Sequence, residues 1–153
     1  MTQSQKISSF FLRLTLGWMF FYAGITKVMD SNWSSVGYLK GAKNLQWFYG
    51  WLASPSIIPI VDFINEWGLT LLGISLILGV SIKLSSRLGS LLMLLYYLPI
   101  LDFPYPNAHA FIVDEHIIYI TALFLLSSIN AGEYLSLQNW LSNKIPSLRK
   151  FFS

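Results

Sequence analysis

The chain contains no cysteine. This absence excludes disulfides, a thiolate nucleophile and an ordinary cysteine-ligated iron–sulfur cluster, and it removes redox chemistry as a guide to compartment. Charge is also scarce, at 11% of residues, and histidine occurs only twice. A net charge of +3 comes from basic residues at the ends of apolar segments, so nucleic-acid binding is not expected. Inverted repeats and a continuous polar path are missing as well, which argues against a transporter or channel.

What fills the chain is hydrocarbon. Apolar residues make up 54% and aromatics 16% of 153 residues, a balance in which most of the surface faces lipid. At about 20 residues per crossing, this length accommodates four spanning helices and little else. The expected fold is therefore all-α, a single-domain, polytopic four-transmembrane-helix bundle over residues 1–153, with spans near 8–28, 60–82, 87–101 and 110–129. The first segment is too long for a secretory h-region and no small-residue cleavage site follows it, so it is expected to remain. The longest connection, between the first two spans, carries Trp33, Tyr38, Lys40, Lys43, Trp47, Tyr49 and Trp51, a mixture suited to the headgroup region. Residues 136–144, with Leu137, Trp140 and Leu141 before Pro146, read as an interfacial helix whose Lys144, together with Arg149 and Lys150, favours an anionic leaflet.

Basic flanks resist translocation, and this sets the expected orientation. Lys6, Arg13, Lys83, Arg87, Lys144, Arg149 and Lys150 share one side, which places both termini in the cytoplasm of a multi-pass cell-membrane protein. The opposite end gathers Lys27, Asp62, Asn65, Glu66, Asp102, His109, Asp114, Glu115 and His116.

Several residues at or near that end are candidates for chemistry. Arg13, Gly17, Phe20, Gly24 and Lys27 repeat at spacings of four and three, forming one helical stripe that should face other helices. Its two basic members, roughly 21 Å apart, are either snorkelling anchors or, for Lys27 above all, cations with an acidic partner. An unpaired carboxylate in a span costs about 2.5–3.5 kcal/mol on insertion scales, so Glu66 should pair with Lys27, be protonated or meet a water-filled cavity. Asp62 shares the Glu66 face. Asp114 and Glu115 suit a solvated first helical turn. His116 continues through Tyr119 into the fourth span as an interior hydrogen-bonding group, but no tight ligand spacing supports a metal site, and one intramembrane histidine does not make a haem site. Tyr96 and Tyr97, before Pro99, either belong to an aromatic belt or line a flat slot for a planar lipid-soluble ring, covered by the aromatic connection.

The runs RLTLGWMFFYAGITKVMD, WSSVGYLKGA, FINEWGLTLLGISLILGVSIKLSSRLGSLLMLLYYLP and VDEHIIYITALFLL resemble the DoxX family, close to its DoxD-type branch, over nearly the whole chain. The resemblance implies a four-helix membrane bundle and, for the DoxD type, the membrane subunit of a thiosulfate:quinone oxidoreductase. The expected function is thus a component of a quinone-linked redox system with a polar pocket near the outer leaflet. In it Glu66 and His116 exchange protons, while Lys27, Arg13, Asp62, Tyr96, Tyr97 and Tyr119 bind substrate. The cofactor is quinone, with no metal. Partners are the bilayer and a second subunit or another copy of the chain, because no side chain here carries electrons at ordinary potentials and no appended soluble domain is expected. Zero cysteines exclude the cysteine-pair relay of other four-helix quinone-linked proteins. The alternative is a non-catalytic accessory protein that docks or stabilises a larger membrane complex.

Overall fold

A computed structural model describes residues 1–144, and these form an all-helical protein. The helices are α1 (Gln3–Met29), α2 (Val36–Lys40), α3 (Gln46–Leu52), α4 (Ile58–Leu78), α5 (Ile82–Ile100), α6 (Glu115–Ser128) and α7 (Leu137–Lys144), with a 3-10 turn at Ala131–Glu133. No strand forms among the described residues. Pro146, Arg149 and Lys150 of the expected cytoplasmic flank lie outside them.

Local chemistry explains where the helices differ from the expected spans. α1 begins five residues early because Thr2 and Gln5 close a reciprocal capping box. α4 ends at Leu78, four residues before the expected boundary, because Gly79 adopts a left-handed φ of 71° and donates its N–H to Ser75 O. α5 starts at Ile82, five residues ahead of Arg87. α6 starts only at Glu115, where the Asp114 carboxylate accepts from the N–H groups of His116 and Ile117. Among the described residues, α4 alone is both long and apolar enough to cross a bilayer. α1 and α5 have the length without the composition, and α6 is apolar but has 14 residues.

α1 packs chiefly on α4, and α5 on α6. The α1–α4 seam is a backbone contact. A Cβ on Gly24 would lie 2.4 Å from Thr70 N, and one on Gly73 would lie 2.2 Å from Phe21 N. Only hydrogen fits at either position. The stripe from Arg13 to Gly24 accordingly faces inward and is buried. Leu16, Phe20, Leu69, Leu76, Met93, Leu123 and Leu126 fill the centre between the four long helices.

A second apolar cluster builds the connection between α1 and α4: Leu39, Ala42, Tyr49 and Ala53 pack with Val61 and Leu98. Hydrogen bonds tie this connection to the end of α5. Pro99 has no N–H to give to Leu95 O, and the Tyr49 hydroxyl donates to that carbonyl at 3.0 Å. Tyr38 Oη donates to Tyr96 O, and Lys43 N donates to Pro99 O at 2.8 Å.

Candidate functional site

Beneath this tethered connection lies a partly open cavity of about 650 Å³. The last turn of α1 contributes Lys27, and the first turns of α4 contribute Val61, Ile64 and Asn65. Leu92, Leu95, Tyr96 and Ile100 come from α5, while Glu115 and His116 come from α6. Trp33, Ser35, Tyr38, Phe48 and Tyr49 of the connection form the remaining wall. The lining is mostly apolar, with few polar groups among hydrocarbon and rings.

Those polar groups are ordered by one another. Tyr96 Oη donates to Asn65 Oδ1. The Tyr96 ring meets Tyr38 edge-on at 6.1 Å and His116 edge-on at 6.2 Å. His116 Nδ1 lies 2.7 Å from Asp114 Oδ2, whose side chain is fully buried. Burial pushes the Tyr38 phenol up to about 12, with Tyr49 and Asp114 adding to the effect, and burial also raises Tyr49.

Of the residues singled out from the sequence, Lys27, Tyr96 and His116 come together on the cavity wall. The others are placed elsewhere. Asp62 accepts from Ser35 N at 2.9 Å and from Ser35 Oγ at 2.6 Å, so it anchors the start of the connection. Tyr97 is buried and donates to Ile112 O, pinning the loop between α5 and α6. Tyr119 packs edge-on against Phe20 at 6.3 Å within the core.

Arg13 lies at the opposite end of α1 and does not snorkel. It is 1% exposed and donates to Ala131 O, Tyr134 O and Leu135 O at 2.8, 3.2 and 2.7 Å. Glu66 is half-buried and is not among the cavity residues. The expected Lys27–Glu66 ion pair is not formed. Lys27 Nζ instead folds back one turn to donate to Ala23 O at 2.7 Å and rests 5.3 Å from the centre of the Trp33 ring, which satisfies the ammonium without an acid.

Sequence reasoning placed Asn65 and Glu115 at this end and Tyr38 in the covering connection without giving them a role in the site, and it passed over Ser35. An amide beside Glu66 in an apolar segment was a usable signal for Asn65. Ser35 and Tyr38 sit in a connection with no periodicity to place them.

Ligand atoms of Asp114, Glu115 and His116 lie within 4.8 Å of one another, a spacing that could hold a metal ion. The Asp114 oxygens, however, are already committed to the two α6 N–H groups and to His116 Nδ1. A cation would have to compete with the helix cap.

The DoxX family model matches residues 8–101, more than half of the chain, from the second turn of α1 through the end of α5. The chain belongs to the DoxX family. DoxX proteins are membrane-associated and often linked to redox and quinone-related function. In this DoxX chain the match takes in Lys27, Asn65 and Tyr96 and stops short of His116. No curated protein and no solved structure matches the chain.

Proposed function

We propose that this DoxX protein is a multi-pass membrane component of a quinone-linked redox system, with a quinone ring held in the cavity beneath the aromatic connection. The cavity carries the reading. Its volume of about 650 Å³ falls within the ordinary range for small-molecule sites, roughly 300–1,000 Å³, and an apolar wall with a few convergent polar groups suits a planar ring with polar edges. Asn65, Lys27 and His116 are the residues to hold those edges, with Tyr96, Tyr38 and Phe48 around the ring. A quinone supplies two-electron, two-proton redox capacity. The protein supplies orientation, exclusion of water and proton exchange at His116. Glu66, away from the wall, is not assigned the proton-exchange role that its sequence position suggests.

Exposed side chains support four crossings. Large apolar groups face outward on all four long helices: Trp18 and Tyr22 on α1, Phe63 and Trp67 on α4, Leu88 and Leu91 on α5, Phe124 and Leu125 on α6. A surface of this kind suits contact with lipid. With Lys6, Lys83, Arg87 and Lys144 on the cytoplasmic side, both termini are cytoplasmic and the cavity opens near the outer leaflet. Resemblance to the DoxD type makes thiosulfate the first reductant to try. Its electrons require a donor that touches the quinone, such as a second subunit.

The test is purification in mild detergent, extraction of bound lipid and titration with decylubiquinone. Quinone should co-extract, and Asn65→Leu should weaken decylubiquinone binding, and His116→Leu the binding of its reduced form decylubiquinol, at least about tenfold, whereas Glu66→Gln should bind as wild type. Protein that carries no quinone, binds none and travels with other subunits would establish the accessory role instead.

A further inference from the structure

The residue before α6 does more than cap it. Asp114 spends one carboxylate oxygen on the N–H groups of His116 and Ile117, at 3.0 and 3.4 Å, and places the other 2.7 Å from His116 Nδ1. Its side chain has no exposure to solvent, whereas the imidazole is 17% exposed and lines the cavity. A carboxylate already accepting from two backbone donors acts as an acceptor toward the ring too, so the ring proton belongs on Nδ1.

We infer that Asp114 is a positioning residue that fixes His116 as the Nδ1–H tautomer, leaving Nε2 as a hydrogen-bond acceptor for a hydroxyl-bearing ligand in the cavity. The ligand half of this inference rests on the proposed quinone site and deepens it. Acceptor chemistry at Nε2 matches the O–H of a quinol, not the carbonyl of a quinone. Asn65 supplies the complementary group: its Oδ1 is taken by Tyr96 Oη, which leaves the amide N–H pair as donors on the same wall. The cavity thus offers an acceptor on α6 and a donor on α4. His116 Nε2 would be placed to take the proton of a quinol hydroxyl, and the Asp114 carboxylate would then sit against the imidazolium.

Asp114→Asn separates capping from positioning. Asparagine caps as well as aspartate, with its oxygen kept on the backbone N–H groups. That turns the amide nitrogen toward Nδ1 as a donor and forces the proton to Nε2. With ¹⁵N-histidine incorporated in a His109→Gln background, one imidazole remains to be read by ¹H–¹⁵N correlation, at a pH where it is neutral. Wild-type Asp114 should give a pyridine-type Nε2, and Asp114→Asn a pyridine-type Nδ1. Asp114→Ser, which caps but cannot reach Nδ1, should give a mixture. An Nε2–H tautomer with Asp114 present overturns the inference without recourse to any variant. Titration with decylubiquinol and decylubiquinone provides the second readout: the ratio of their affinities should favour the quinol with Asp114 and shift toward the quinone by about fivefold or more in Asp114→Asn. Failure of both probes to bind wild-type protein would sink the quinone reading and the ligand half with it, while the tautomer measurement stands by itself.

Discussion

Arg13 carries a guanidinium into the interior of the helix bundle and gives it no carboxylate partner among the described residues. Three backbone carbonyls after α6 take that place, and Gly79 provides the flat surface beside the guanidinium, where a Cβ would lie 2.5 Å from Nη1. Arg13→Ala would strand those carbonyls away from water, so the variant should lose on the order of 3 kcal/mol, read as a lowered unfolding midpoint in detergent. Decylubiquinone binding, if the proposed site at the far end of α1 holds it, should be intact in whatever protein remains folded. Tyr38 offers a different test. Its phenol holds its proton to about 12 in the folded protein against 10.0 in an unstructured chain, so between those values the folded state binds more protons than the unfolded state. Stability therefore falls as pH rises through that window, and the phenol's contribution is complete below it. Tyr38→Phe should flatten the decline in an unfolding series across the window.

At the scale of elements, α5 shows how one proline anchors the connection between α1 and α4. Pro99 leaves Leu95 O without its helical donor, and Tyr49 from the connection fills that vacancy. Tyr49→Phe should cost about 1–3 kcal/mol by orphaning the carbonyl. Pro99→Ala restores an N–H at residue 99, so the same Tyr49→Phe change should cost much less in that background. A double-mutant cycle on thermal unfolding measures the coupling, and additive effects would mean that the hydroxyl and the proline are unrelated. The α1–α4 seam follows another rule. Gly24 and Gly73 let backbones touch, which fixes where Lys27 and Asn65 stand relative to each other.

For the whole molecule, the absence of cysteine becomes an experimental advantage, because each introduced thiol is the only one. If the four long helices span as proposed, Lys43→Cys and His109→Cys should react with a membrane-impermeant maleimide in intact cells. Lys6→Cys and Lys144→Cys should react only after permeabilisation. A thiol at residue 6 that labels from outside would reverse the proposed orientation and move the cavity to the inner leaflet.

Helical class and the inward stripe of α1 were legible in the sequence, because helical period and apolar content are local properties that survive without tertiary information. Element ends were less legible. The Thr2 capping box, the left-handed Gly79 and the Asp114 cap each act over three or four residues inside longer apolar runs. What only the tertiary structure decided is which polar side chains share a cavity. Lys27 answers to its own helix and Trp33, not to Glu66; Asp62 holds Ser35; Arg13 serves the opposite end; Asn65, Tyr38 and Asp114 surround His116 or its neighbour Tyr96. The physical reason is reach. A side chain settles on whichever satisfying partner the packed helices bring within about 3 Å, and a backbone carbonyl or an aromatic face satisfies a cation without leaving any mark in the sequence.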